Sequence, residues 1–394
     1  MLTKKIFWSL LCMQVLAVNE SSCAQERTMK DIRWKKVATL PGGDVALKNK
    51  GLAGLYGGVH NGVVLLAGGT NFPGAMPWEG GTKKYYNHIY LLTKESDKYN
   101  CKLLPDELPI AMAYGASIST GKGVICIGGE NENGILRNVL LLQWDSINQK
   151  IAIITLPDLP VALTNLAASM IDNDIYVVGG ENEDTVSSAV FSIRLDATRP
   201  AWKACAALPL QISHAVAVTQ SDKKEKCLYV IGGRTRTASG ISVLHGTVFC
   251  YHPSSNAWTE MPAMPKYEGI SFLSAATGVS FGDHEIVIAG GDNGKIFSRI
   301  EQLNVAIKKA TDHRVKQQLL EEKLVLLQHH EGFSKDVRLY NTVTGKWRLL
   351  EPLPYAPVTT IATKWNDSIF IAGGEIHPGI RTADIVMGTP VFSE

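Results

Sequence analysis

Short apolar runs rich in β-branched residues recur along the chain, and each ends in a pair of glycines. VVLLA leads into Gly68-Gly69, VICI into Gly128-Gly129, IYVV into Gly179-Gly180, LYVI into Gly232-Gly233, IVIA into Gly290-Gly291 and IFIA into Gly373-Gly374. Runs of this length and composition read as strands buried on both faces. Successive glycine pairs are 60, 51, 53, 58 and 83 residues apart. A second marker keeps the same order. Trp34, Trp144, Trp202, Trp258 and Trp347 each open an alternating strand that closes at Leu40-Pro41, Leu156-Pro157, Leu208-Pro209, Met261-Pro262 or Leu353-Pro354. The sixth copy lacks the tryptophan and keeps Leu104-Pro105 or Leu108-Pro109. Proline at that point suits an outer edge strand running into a loop.

A strand-bearing repeat of this period predicts an all-β propeller, each unit a four-stranded blade. The two markers together resemble the kelch repeat, and six copies imply six blades across residues 25–394. The chain opens on an outer-type strand, Arg33 to Thr39, and closes with three strands from Thr359 to about Val391 that lack an outer partner. Pairing the two ends completes the last blade, so no sheet edge is left open. Two insertions break the period, both directly after a glycine pair. One is Thr70 to Asn87. The other, about 300–330, is dense in Glu, Lys, Leu and Gln, with Leu303, Ile307, Val315, Leu319, Leu320 and Leu327 spaced for one helical face. A helical excursion from a propeller predicts a lid or wall over one end of the ring.

Composition adds exclusions. The 39 basic and 37 acidic residues nearly balance, so no nucleic-acid footprint is expected. Residues 1–24 read as an export signal: Lys4 and Lys5, the short apolar run Ile6 to Val18, then Ser22-Cys23-Ala24 before Gln25. Cys23 raises a lipidated cysteine as the rival, against which Glu20 stands where such signals want an apolar residue. No later stretch is long and apolar enough to form a transmembrane helix. Five further cysteines scattered over a chain of this size are not a disulfide framework. Cys126 and Cys227 fall inside strand runs and read as small buried hydrophobes. One disulfide among the five stays open.

The loops after the glycine pairs converge on one face and offer Asn71 and Glu79, Glu130 and Arg137, Glu181, Arg234 and Arg236, Asp292 and Asn293, and Glu375 and Arg381. Most such charges are ordinary solvated loop tips. Glu375 and Arg381 differ, because Pro378-Gly379 fixes a turn that brings opposite charges back toward each other. His329-His330-Glu331 lacks the i, i+4 spacing of helical zinc sites, so no metal is expected. No phosphate-binding glycine loop occurs.

Gly-Glu-x-x-Pro-Gly-x-Arg-Thr at 374–382, with the Asn-Phe-Pro…Trp-Glu-Gly-Gly insertion, resembles the N-acetylneuraminate epimerase family. The order of repeats is similar to its cyclically permuted form. The resemblance implies a periplasmic sialic acid mutarotase, acting on a small sugar acid without cofactor or metal. It implies Glu375 as proton acceptor and Arg381 as its partner, with Pro77 to Lys84 and Ala113-Tyr114-Gly115 at the pocket. Asn71, Glu79, Tyr114, Arg137, Arg234 and Arg236 are the expected substrate-binding residues, and which arginine holds a substrate carboxylate stays open. The alternative is a non-catalytic kelch propeller that binds glycans or proteins.

Overall fold

The computed structural model describes residues 28–42, 50–267 and 271–393. The expected signal, residues 1–24, lies outside the described residues, as do Cys12 and Cys23. Six antiparallel sheets form the blades, each a path of four strands, with the short strand Lys84–Tyr85 added beside the second strand of the first blade. From the axis outward, the first blade is Ala53–His60, Val63–Asn71, His88–Glu95 and Lys98–Glu107. The second is Ala116–Thr120, Gly123–Ile127, Val139–Asp145 and Lys150–Thr155. The third is Ala167–Ile171, Asp174–Val178, Val190–Arg194 and Lys203–Ala204. The fourth is Val216–Ser221, Lys226–Ile231, Val248–His252 and Ala257–Met261. The fifth is Thr277–Phe281, Glu285–Ala289, Val337–Asn341 and Trp347–Leu350.

The sixth blade joins the two ends of the chain. Ile361–Trp365, Ser368–Ala372 and Asp384–Phe392 supply three strands, and Met29–Thr39 is the outermost. The outer strand begins four residues before Arg33, and its Trp34 lies opposite Gly388. A Cβ at Gly388 would stand 2.6 Å from the Trp34 ring, so a glycine is needed for the tryptophan to lie flat. Trp34 Nε1 donates to Glu351 O at 3.1 Å, and Met29 N donates to the Glu285 carboxylate at 3.2 Å. The closing strand is thereby tied to the fifth blade as well as to its own.

Buried apolar side chains fall into six clusters, one between each pair of neighbouring blades. Tyr56 and Leu65 of the first blade meet Val124 and Leu140 of the second. Around the ring, Phe370 and Ile385 of the sixth blade meet Val64 and Tyr90 of the first. Every central strand is therefore apolar on both faces, which is why the sequence runs are continuous rather than alternating.

Two expectations need correction. Trp144 does not open an outer strand. It sits in the third strand of its blade, 2 % exposed, because it stands further ahead of its Leu-Pro than the other tryptophans do. The insertion near 300–330 is two helices, α1 (Lys295–Lys309) and α2 (His313–Gln328), not one amphipathic face. Asp312 caps α2 by accepting from Arg314 N and Val315 N, which breaks the register between the helices. Leu303 is buried, whereas Val315 and Leu320 are exposed.

The blades are joined by two sets of backbone bonds at the end where the glycine pairs lie. In each blade the second glycine of the pair donates to a carbonyl of the segment leading into the next blade. The acceptors are Met112, Leu163, Ile212, Leu273, Pro357 and Leu52, at 2.7–2.9 Å. At Gly179, with φ +62°, a Cβ would overlap that carbonyl oxygen of Ile212. Nearer the axis, Gly54 donates to Thr359, Thr359 to Ala275, Ala275 to His214, His214 to Asn165, Asn165 to Tyr114, and Tyr114 back to Gly54. This ring of six peptide hydrogen bonds, 2.7–3.0 Å long, closes on itself, and all six residues have φ between +48° and +67°.

Gly179→Ala should lower the unfolding free energy by about 3 kcal/mol, combining left-handed strain with the clash against Ile212. Gly62→Ala, also at positive φ but facing open space, should cost only about 1 kcal/mol. Urea unfolding of both variants checks the difference.

Candidate active site

Glu375 directly follows the last glycine pair, and its backbone bridges Val358 in both directions, at 2.9 and 3.0 Å. From there the chain makes a short hairpin, pairing Glu375 with Arg381 and His377 with Ile380 across Pro378-Gly379. Proline presets the first corner and Gly379, at φ +74°, takes the second. The turn therefore lays the two charged side chains side by side. Arg381 Nη2 donates to Glu375 Oε2 at 2.9 Å and to the Tyr114 hydroxyl at 3.2 Å. Gly379 N donates to Glu375 Oε1 at 3.2 Å. The guanidinium also stacks on Phe72, 4.8 Å from the ring centre. Its side chain is almost wholly buried, with Nε and Nη1 left without a partner.

These groups line a cavity of about 680 Å³. Phe72, Pro77, Trp78 and Lys83 from the first insertion form one wall. Ile300 of α1 and Leu320, Lys323, Leu324 and Leu327 of α2 form the facing one. A second cavity of about 230 Å³ adjoins it, and Glu375, Pro378, Ile300 and Leu327 border both. It holds Arg234, His214, Asp292 and Phe297. A larger space of about 890 Å³ opens at the opposite end of the axial channel, among hairpin residues such as the exposed pair Lys226–Asp172.

The electrostatics at Glu375 are a contest. Burial pushes its carboxyl above the ordinary value of 4.5, while the Arg381 guanidinium, the Gly379 N–H and Lys83 pull it back. Tyr114 is pushed up to about 12 by burial, with Arg381 opposing, so the phenol is neutral at pH 7. Lys83 sits 4.9 Å above the Tyr114 ring and 3.3 Å from Glu130.

Of the other expected residues, Arg234 faces the second cavity, stacks on Phe297 at 4.6 Å and approaches Glu181 at 3.8 Å. Asn71 is buried outside both cavities. Its amide donates to Gly51 O at 2.9 Å, and Gly51 packs against the Arg381 backbone. Glu79 is exposed and accepts from Met76 N at 3.0 Å, capping its own short helical turn. Arg137 donates to Leu159 O at 2.6 Å, and Arg236 to the carbonyls of Asn182 and Glu183, both at 2.9 Å. Neither arginine borders the cavities. Leu320 and Leu327 read in the sequence only as part of a helical face, and Phe72 only as part of the insertion; nothing local marks His214 or Leu324 as cavity residues.

His330 Nδ1 accepts from Gly332 N at 3.0 Å, and its carbonyl accepts from His377 at 2.8 Å. Among the described residues, one group has metal-ligand chemistry: Cys227, Cys250 and His252, in the fourth blade. It lies at the far end of its strands from the glycine pair, and His252 Nδ1 faces Glu225 at 3.3 Å.

The fold and site define a class: a six-bladed propeller whose axial face carries a buried carboxylate–guanidinium pair. Comparison with known proteins narrows it. The family model described as N-acetylneuraminate epimerase matches residues 18–153 and 156–391, and the chain belongs to this family. The N-acetylneuraminate epimerase of Haemophilus influenzae (strain PittEE) is 28% identical over 235 residues, 59% of each chain. That of Vibrio cholerae is 34% identical over 125 residues, 29% of this chain and 31% of the relative. The matches thus span less than two thirds of these relatives' length, 59% and 31% respectively. The solved structure of YjhT superposes with a TM-score of 0.60 at 15% identity, covering 91% of this chain and 99% of that one, which supports the fold.

Arg381 is the chief influence lowering the Glu375 carboxyl. In Arg381→Met the Glu375 carboxyl should titrate at a higher pH than in the parent. Carbon-detected NMR of labelled glutamate side chains checks the shift.

Proposed function

We propose that this protein is a mutarotase that interconverts the α and β anomers of N-acetylneuraminate. The observation that carries the proposal is the Glu375–Arg381 pair, held by a two-residue turn at the junction of two cavities in a member of this family. Anomer exchange of a 2-keto sugar acid needs a proton taken from the anomeric hydroxyl and one given to the ring oxygen. The ring opens to a ketone, and reclosure on the opposite face gives the other anomer. A carboxylate within hydrogen-bond reach can move that proton by general acid–base catalysis. Burial helps here, since it raises the proton affinity of Glu375 toward the working pH. The Arg381 guanidinium bordering the cavity supplies positive charge beside the substrate carboxylate or a developing oxyanion. Export through residues 1–24 to the periplasm belongs to the same proposal.

Glu375→Gln keeps the side chain's shape and removes its basicity. It should abolish most of the acceleration, on the order of 10²–10⁴-fold, while sugar binding stays measurable. NMR of freshly released α-N-acetylneuraminate, following loss of the α signal with and without protein, reads the rate. Equal decay in both samples would instead favour a binding propeller without catalysis.

The pH dependence has a definite sign. Glu375 must be ionised to act as base, and its carboxyl lies above 4.5 in the folded protein. The catalysed rate should therefore fall on acidification at a higher pH than an ordinary solvent-exposed carboxylate would give. A rate profile from pH 4 to 8, with the spontaneous rate subtracted, checks it.

A further inference from the structure

Mutarotation needs an acid as well as a base, and the site holds a second proton-bearing group in contact with the same cation. Arginine has donors only, so in its contact with Arg381 Nη2 the Tyr114 hydroxyl must be the acceptor. Its own proton is left for another partner, and Tyr114 borders the cavity. Because one nitrogen binds both, Tyr114 Oη and Glu375 Oε2 lie within about 6 Å of each other. The two proton sites of the substrate, the anomeric hydroxyl and the ring oxygen, are likewise substituents of one carbon.

The backbone fixes this placement. Tyr114 has φ +59°, an uncommon conformation for an aromatic residue. Both its N–H and its carbonyl are committed to the axial ring of hydrogen bonds, to Gly54 and from Asn165.

We propose that Tyr114 is the acid of the reaction, giving its hydroxyl proton to the ring oxygen while Glu375 takes the anomeric proton and Arg381 serves as shared counter-ion to both. The inference rests on the mutarotase reading. In the opening step the anomeric O–H proton passes to the Glu375 carboxylate, and the freed pair forms the C2 ketone. The bond from C2 to the ring oxygen breaks, and that oxygen takes the proton of Tyr114. The site begins as carboxylate, phenol and guanidinium and ends as carboxylic acid, phenolate and guanidinium, so its net charge is unchanged. Arg381 Nη2 need not move, since it already contacts both oxygens. After the open chain rotates to present the other face of the ketone, the reverse transfers close the ring and restore both groups. The Arg381 guanidinium and the Lys83 ammonium over the ring stabilise the phenolate in between.

The test compares wild-type protein, Tyr114→Phe and fluorinated tyrosines placed at position 114, all by the α-anomer NMR assay. Tyr114→Phe keeps the ring and its stacking, so thermal unfolding should be nearly unchanged, while kcat falls about 10²-fold or more and KM moves only a few-fold. The fluorotyrosines keep the hydroxyl but are stronger acids, so their kcat should change in step with phenol acidity, which a merely structural tyrosine would not show. A Tyr114→Phe protein retaining more than half the wild-type kcat, or rates insensitive to fluorination, overturns the assignment. A wild-type protein that leaves the α anomer decaying at the spontaneous rate removes the mutarotase reading itself, and this inference with it.

Discussion

The closed ring of six peptide hydrogen bonds around the axis is the constraint on which the rest of the molecule depends. Each bond joins one blade to the next, and none can form in its final geometry until both neighbours are in place. The ring demands a left-handed backbone at six positions, of which only Gly54 is a glycine. Strain of this kind costs roughly 1–3 kcal/mol at a non-glycine residue and persists only where the surroundings over-determine it. Here they do: each of these residues has both peptide groups bonded, and the glycine clips bind the same segments just outside the ring. Closure by the N-terminal strand completes the circuit, so the sixth blade and its hairpin share the fate of the whole ring.

The same symmetry delivers the functional positions. The residue after each glycine pair is bridged to the residue just before a ring member, so Thr70, Glu130, Glu181, Arg234, Asp292 and Glu375 occupy equivalent places. Five of the six are ionisable. Glu130 is engaged by Tyr85, Lys83 and Thr164, and Glu181 by Asn165, His214 and Arg234. Asp292 accepts from Gly294 N at the start of α1. Glu375 alone among the acids has a guanidinium partner from its own hairpin, with the open cavities beside it.

What could be read from the sequence follows from how local each determinant is. The glycine pairs are legible because a Cβ would strike the next blade at every one of them, so the period survives as a residue identity. The Glu375–Arg381 contact is legible because seven consecutive residues contain both charges and the turn between them. Tyr114 reaches Arg381 across 267 residues of chain, and only the completed ring brings them together. Arg137, Arg236 and Glu79 looked equivalent to Arg234 as loop charges, yet each is absorbed by backbone groups nearby, a choice set by loop geometry. The break between α1 and α2 was hidden because both helices are amphipathic and the cap at Asp312 resembles any surface aspartate.

The helical insertion ties these levels together at the cavity. α2 has no buried residue of its own, and it presents Leu320, Leu324 and Leu327 to the cavity, the first two of them exposed. Arg299 of α1 and Glu322 of α2 hold the pair together, and Ser242 of the fourth blade anchors α1 through Glu301. This wall stands across the cavity from Glu375, whose burial raises its proton affinity. Burial pushes the carboxyl toward its neutral form, which is no base. Arg381 opposes that push, and its own burial is tolerable because Glu375, Tyr114 and Phe72 surround the guanidinium. Burial and cation act in opposite directions on one carboxylate. The ring holds that carboxylate where both act on it.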